Sequence, residues 1–175
     1  MDLSRPRPPD PYTLLPAVPT FTLTSQDLTA DMPLDKRHAA ANQNASPQLS
    51  WTDFPANTRS FAVTCFDPDA PTASGYWHWL LIDLPATATS LERGAGGENE
   101  PLPGNAFHIK NDSGTRGYYG AAPPKGDHLH RYYFVVHAVG VEHLPVRPIS
   151  SPAQVGFNLT FHTLARAKLM STYSS

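Results

Sequence analysis

Two segments hold residue types that could do chemistry together: CFDPDAPTASGYWHW at 65–79 and GYYGAAPPKGDHLHRYY at 117–133. In the first, an alternating run ends in Asp67-Pro68-Asp69-Ala70-Pro71. Proline fixes φ near −65° and offers no N–H, so the chain turns there with two carboxylates at the turn. Taken alone, the stretch is a strand-ending turn with Asx caps; taken functionally, it holds a carboxylate at a pocket mouth. His78 lies between Trp77 and Trp79 in an apolar run. A buried histidine needs a hydrogen-bond partner. Asp67 is the candidate, and that pairing would raise the imidazole pKa. In the second segment, residues 120–126 (GAAPPKG) form a loop of small residues whose backbone N–H groups could approach a ligand. His130 and Tyr132 follow at alternate positions, on one face of a strand. They offer two donors to an anion, or they are an ordinary aromatic strand start; the segment by itself leaves both open.

Other chemistries lack parts. No G-x-S-x-G motif is present, and Cys65 has no electropositive surroundings in sequence. Asp67, His78 and His130 could make an acid–base set, but a hydrolase needs a nucleophile or activated water beside it. No catalytic residue is assigned. His128-x-His130 with His78 raises zinc, which wants three or four ligands; His128 sits in a polar loop and is expected to face solvent. Neither a metal nor a cofactor is expected.

The elements that position these residues are mostly strands. Phe21 and Leu23 alternate with threonines, and Leu49–Thr52 reads as a short strand. Ser60–Asp67 puts Phe61, Val63 and Cys65 on one face and Ala62, Thr64 and Phe66 on the other. Residues 76–84 (YWHWLLIDL) read as a central strand covered on both faces. Residues 107–111 read as an edge strand, and 131–140 (RYYFVVHAVG) as another strong strand. Helix signals gather at the C-terminus. Ser151 is a candidate N-cap with Pro152 at the first helical position. Phe157, Phe161, Leu164, Ala165 and Leu169 then form one apolar stripe, expected to face the core along a single amphipathic helix. Residues 1–16 are proline-rich and expected to be a flexible arm; 17–175 form one domain. A tight turn at Ala70–Pro71 favours a cis bond there.

The 175 residues suit a single domain. A net charge of −2 with scattered Lys and Arg excludes the basic stripe of a nucleic-acid binder. One cysteine excludes an intrachain disulfide. The N-terminus lacks the apolar run of a secretory signal, and the longest apolar stretch, near 77–82, is too short to span a bilayer. A cytoplasmic protein without integral membrane association is expected. Only 16% of residues are charged, so much of the surface is neutral, which points to a two-fold homodimer.

DPDAP, then a glycine and an aromatic-His-aromatic strand, then GYYGAAPPKG, then HRYYF, in this order, resembles the phosphatidylethanolamine-binding protein family. That family includes Raf kinase inhibitor protein and the plant flowering regulators. The Gly-Ala-Ala-Pro-Pro form and the short C-terminus are similar to its bacterial branch. The likeness spans Phe21 to the last helix and is strongest over 60–84 and 114–140. It implies a mostly β fold, a central sheet packed on a smaller one with helices at the edge. It implies a small pocket for phosphate, acetate or a phosphorylated amine head group, made by Asp67, Pro71, His78, the backbone N–H of Ala122, His130 and Tyr132. It also makes Asp69 and Arg131 structural braces, and it supports the dimer. Animal members carry two histidines where this chain has Trp77-His78, and a tyrosine near the place of Ala73, so one pocket wall here loses a donor. An alternative use of the same surface is inhibition of a protease or kinase; kinase regulation is not carried over.

Overall fold

The computed structural model describes residues 3–175. Five strands make the central antiparallel sheet: β3 (Ser60–Asp67), β4 (Tyr76–Pro85), β6 (Phe107–His108), β7 (His130–Val139) and β8 (Thr163–Tyr173), in the order β6-β4-β3-β7-β8. Three short strands, β1 (Thr22–Thr24), β2 (Leu49–Thr52) and β5 (Ser90–Leu91), form a second sheet in the order β1-β2-β5. The mostly β fold with two sheets is thus as the sequence implies.

The period-2 pattern sorts the core into two layers. Phe61, Val63 and Cys65 of β3 and Phe134 and Val136 of β7 meet Leu49 and Trp51 of the small sheet. On the opposite face Ala62, Leu80 and Ile82 pack against Val155 and Leu159 of a helix, α1 (Pro152–His162). Covered on both sides, β3 and β4 read as near-continuous apolar runs.

Two bulges interrupt the β3–β4 ladder. Phe61 pairs with Leu84 but Val63 with Leu81, and Asp83 there takes a left-handed φ of 59°. Aspartate tolerates that region better than most residues. Nearer the turn, Cys65 pairs with Trp79 and Phe66 with Trp77, so His78 is the extra residue on β4. A bulge of this kind re-aims a side chain, and this one matters for the site.

Helix α1 starts as expected, with Ser151 as N-cap and a capping box closed by Gln154. It ends sooner than the stripe predicts. Leu164, Ala165 and Leu169 belong to β8, which pairs with β7 from Val139↔Thr163 to His130↔Tyr173. Ala165 and Ala167 face the core while Arg166 and Lys168 face away, a period of two that the i+7 and i+8 coincidences conceal. The open hydrogen-bonding edge of β7 decides the matter. Phe157 and Phe161, expected inside, are 66% and 69% exposed and stack edge-on at 5.0 Å. Ser151→Ala should cost about 1 kcal/mol, read as a lower urea midpoint at unchanged slope.

Two smaller expectations also change. The edge strand at 107–111 shortens to the two residues of β6. Every described peptide bond is trans, including Ala70–Pro71; the Asp67 side chain closes that turn instead, accepting from Asp69 N (2.8 Å) and Ala70 N (3.1 Å). Among the described residues no helix is long and apolar enough to cross a membrane. The described part of the proline-rich arm, 3–16, lies on the face of β7 and β8 away from the small sheet. There Tyr12 meets Tyr133 (5.9 Å between ring centroids) and Arg131 Nη2 donates to the Pro8 carbonyl (2.8 Å).

Candidate functional site

β3 ends where β7 begins, which sets Asp67 beside the first residues of β7. Phe66 pairs with Tyr133, and the Asp67 carboxylate reaches His130, two residues past its own level. Asp67 Oδ1 is committed to the turn, so Oδ2 is the oxygen that accepts from His130 Nδ1, at 2.7 Å. His130 Nε2 donates to Asp127 Oδ2 at 3.0 Å. An imidazole between two carboxylates donates from both nitrogens and is therefore the cation. Burial opposes its charge, but the Asp67 hydrogen bond and then Asp127 outweigh it, and the His130 pKa is raised.

The expected Asp67–His78 pair is not formed. The bulge shifts His78 along β4, and its Nδ1 donates to the Tyr119 carbonyl at 2.7 Å while Tyr119 N donates back to the His78 carbonyl at 2.8 Å. The ring lies parallel to Tyr119 (20°, 6.0 Å between centroids) and meets Tyr132 edge-on at 5.1 Å. Burial lowers the His78 pKa, against the opposing pull of the Tyr119 carbonyl and of Asp67. His78 is thus a neutral imidazole with its proton on Nδ1, and Nε2 is the nitrogen that gains a second one.

These side chains surround a cavity of about 240 Å³. Asp67, His78 and His130 form its inner wall, and Pro71, Ala122 and Pro124 line it from the two loops. Tyr132 stands behind His78 rather than on the wall; it is buried, its hydroxyl has no hydrogen-bond partner, and burial pushes its pKa well up. Of the six sequence-derived positions, five line the cavity and the sixth backs it.

Sequence reasoning missed Tyr76, Tyr119 and Thr72, which also line the cavity. Tyr76 stands two before His78 and Tyr119 in GYYG, so alternation and loop proximity held the signal. Both bring phenols to the cavity. The glycine loop is also used differently from the expectation. A Cβ on Gly120 would lie 2.4 Å from the His38 carbonyl oxygen, and Gly120 N donates to Asn44 Oδ1 at 2.7 Å. That glycine is demanded by loop-on-loop packing, not by a ligand.

Asp69 and Arg131 brace the site as implied. Arg131 Nε and Nη2 donate to the two Asp69 oxygens at 2.7 and 2.8 Å, and Arg131 N adds a bond of 2.9 Å. Asp127, His128 and His130 bring ligand atoms within 4.8 Å of one another. His128, expected to face solvent, holds Asp127 Oδ1 through Nδ1 at 2.8 Å. Arg5 already lays its fork on that carboxylate, at 2.9 Å to each oxygen. Cys65 is fully buried, and burial with Asp67 nearby keeps it a thiol.

Residues 24–174 match the family model for the phosphatidylethanolamine-binding protein. UPF0098 protein YbhB of Escherichia coli is 45% identical over 157 residues, 87% of this chain and 99% of the relative. UPF0098 protein YbcL of the same organism is 42% identical over 159 residues, 87% of each chain. The crystal structure of YbcL, described as a new member of the mammalian PEBP family, superposes with a TM-score of 0.85 at 40% identity, covering 89% of this chain and 98% of that one. A phosphatidylethanolamine-binding protein homologue from Chlamydia trachomatis gives 0.76 at 29% identity, covering 89% and 98%.

Proposed function

The chain belongs to the phosphatidylethanolamine-binding protein family, and on that premise we propose a non-catalytic binding protein whose cavity takes a phosphate-type anion or a phosphorylated head group. The observation that carries this reading is the charge arrangement around the cavity. Asp67 would repel an anion, but His130 lies against it and cancels its charge. His78 then supplies a donor that switches on with one proton, and Tyr76 and Tyr119 supply hydroxyls. The size agrees. A cavity of about 240 Å³ lies below the range of roughly 300–1,000 Å³ typical of drug-sized ligands. It suits a head group and leaves acyl chains outside.

A hydrolase is the weaker reading. Cys65 is buried, and the Thr72 hydroxyl donates to the Gly75 carbonyl. Neither is a nucleophile with a base in reach.

Calorimetric titration with inorganic phosphate and with phosphorylethanolamine, near pH 6, tests the proposal. Wild type should bind both. His78→Gln, which keeps an amide donor but cannot take the proton, should bind about tenfold more weakly, the loss of one charge-assisted hydrogen bond. Equal binding by the variant, or none by wild type, overturns it.

A further inference from the structure

The arm at 3–16 precedes the family-matched stretch, yet it reaches Asp127, the carboxylate hydrogen-bonded to the pocket's His130. Arg5 places Nη1 and Nη2 on the two Asp127 oxygens at 2.9 Å each, and Nη2 also donates to the Asp69 carbonyl. Asp127 then meets His130 Nε2, and His130 meets Asp67, so four charges alternate in one chain: Arg5, Asp127, His130, Asp67. His130 and Asp67 are the members that line the cavity.

Asp127 does not need Arg5 to stay in place. Its Oδ1 accepts from His128 N at 2.8 Å, an anchor within its own loop. The arm has other anchors too: the half-buried Tyr12 ring against Tyr133 and His137, and the ion pair between Asp10 and Lys168. What Arg5 supplies is the second cation of this set: with it the two carboxylates, Asp127 and Asp67, face two cations, and without it they face His130 alone. Without it, Asp127 and Asp67 share the single cation His130, and the set beside the cavity carries one net negative charge.

We propose that Arg5 is a positioning residue of the pocket that acts through Asp127, so that the N-terminal arm sets the anion affinity of a site built by the family domain. The proposal rests on the anion-pocket reading above. Besides Arg5 and Asp127, His130 faces Asp67 at the end of β3, His128 in its own loop, His78 and Tyr76 on β4, Tyr132 on β7 and Tyr173 as its β8 register partner. The Asp69–Arg131 pair, with Arg7 at 3.7 Å from Asp69, lies just beyond. In this set Arg5 is the cation seated on Asp127, so its removal moves the charge balance at His130 in a defined direction.

Two readouts test it on the full chain: NMR titration of His130 without ligand, and calorimetry with inorganic phosphate near pH 6. Removing Arg5 takes a cation away from His130 and leaves its anion, so Arg5→Ala should raise the His130 pKa. It should also weaken phosphate binding about fivefold, the order of effect that one unit charge has across several ångströms at intermediate dielectric. Arg5→Lys keeps the charge and should stay close to wild type in both. Arg5→Ala with Asp127→Asn removes cation and anion together and should restore phosphate affinity; a merely structural role for Arg5 predicts no such rescue. An unchanged His130 titration in Arg5→Ala, or a double variant that binds no better than Arg5→Ala, overturns the inference. Absence of phosphate binding by wild type defeats the pocket reading instead, and the ligand-free titration still decides the coupling from Arg5 to His130.

Discussion

Asp69→Ala is expected to destabilise the protein by about 3–5 kcal/mol, the usual cost of removing one partner from a buried ion pair. That is a large share of the roughly 5–15 kcal/mol by which a domain of this kind is stable. Asp69 is completely buried, and three donors from one residue converge on it: Nε, Nη2 and the backbone N of Arg131. Alanine leaves the guanidinium with one partner fewer and strands a backbone N–H. The damage is local to the pocket as well, because the Asp69 backbone N is one of the donors that fixes Asp67. Asp69→Asn keeps the shape and one acceptor and should fall between the two. Burial alone would raise the Asp69 pKa, but the Arg131 fork wins and holds it below the usual range. Its contribution is therefore complete above the free aspartate value near pH 4 and fades as pH falls through the lower folded value. Urea unfolding at neutral pH reads the loss directly; a midpoint shift worth less than about 1 kcal/mol, the level of an ordinary surface substitution, would show that the pair is not a brace.

The fold and most of the pocket were legible because they rest on patterns that survive in one dimension. Alternation in Ser60–Asp67 and the run from Tyr76 onward placed β3 and β4, and two prolines around Asp69 placed the turn. Three kinds of information were not. The bulge at His78 adds one residue to β4 and carries its ring away from Asp67, the partner expected from the turn before it; nothing in YWHW marks which residue is extra. The C-terminal strand looks helical because Leu164, Ala165 and Leu169 continue, at i+7, i+8 and i+12, the stripe that Phe157 and Phe161 begin, and the choice falls to the unpaired edge of β7, a tertiary cause. Arg5 and Asp127 lie 122 residues apart and neither belongs to a motif, so their meeting emerges only after the arm has docked.

Sulfate affinity is expected to fall about tenfold or more between roughly pH 5.5 and 7.5, the window in which histidine changes charge. Sulfate keeps its charge across that window, so the slope belongs to the protein. In the free protein the His78 pKa lies below the ordinary value, because burial disfavours the cation. An anion in the cavity does the opposite and raises it. Between the two values binding takes up one proton, and affinity drops by up to tenfold for each pH unit gained. His130 does not produce this slope. Its pKa is raised by Asp67 and Asp127, so it remains cationic through the lower part of the window and weakens binding further only as pH rises through its own value. His78→Gln should therefore flatten the profile at the acid end while leaving the alkaline fall, and Asp67→Asn should move that alkaline fall to lower pH by removing the first carboxylate on His130. Thermal melts give a second measure of the same linkage: sulfate should raise the melting temperature more at pH 5.5 than at 7.5, since a ligand stabilises in proportion to the logarithm of its occupancy. A wild-type profile that is flat across the window, with sulfate bound, would mean that His78 keeps one protonation state and that the phenols and backbone hold the anion without it.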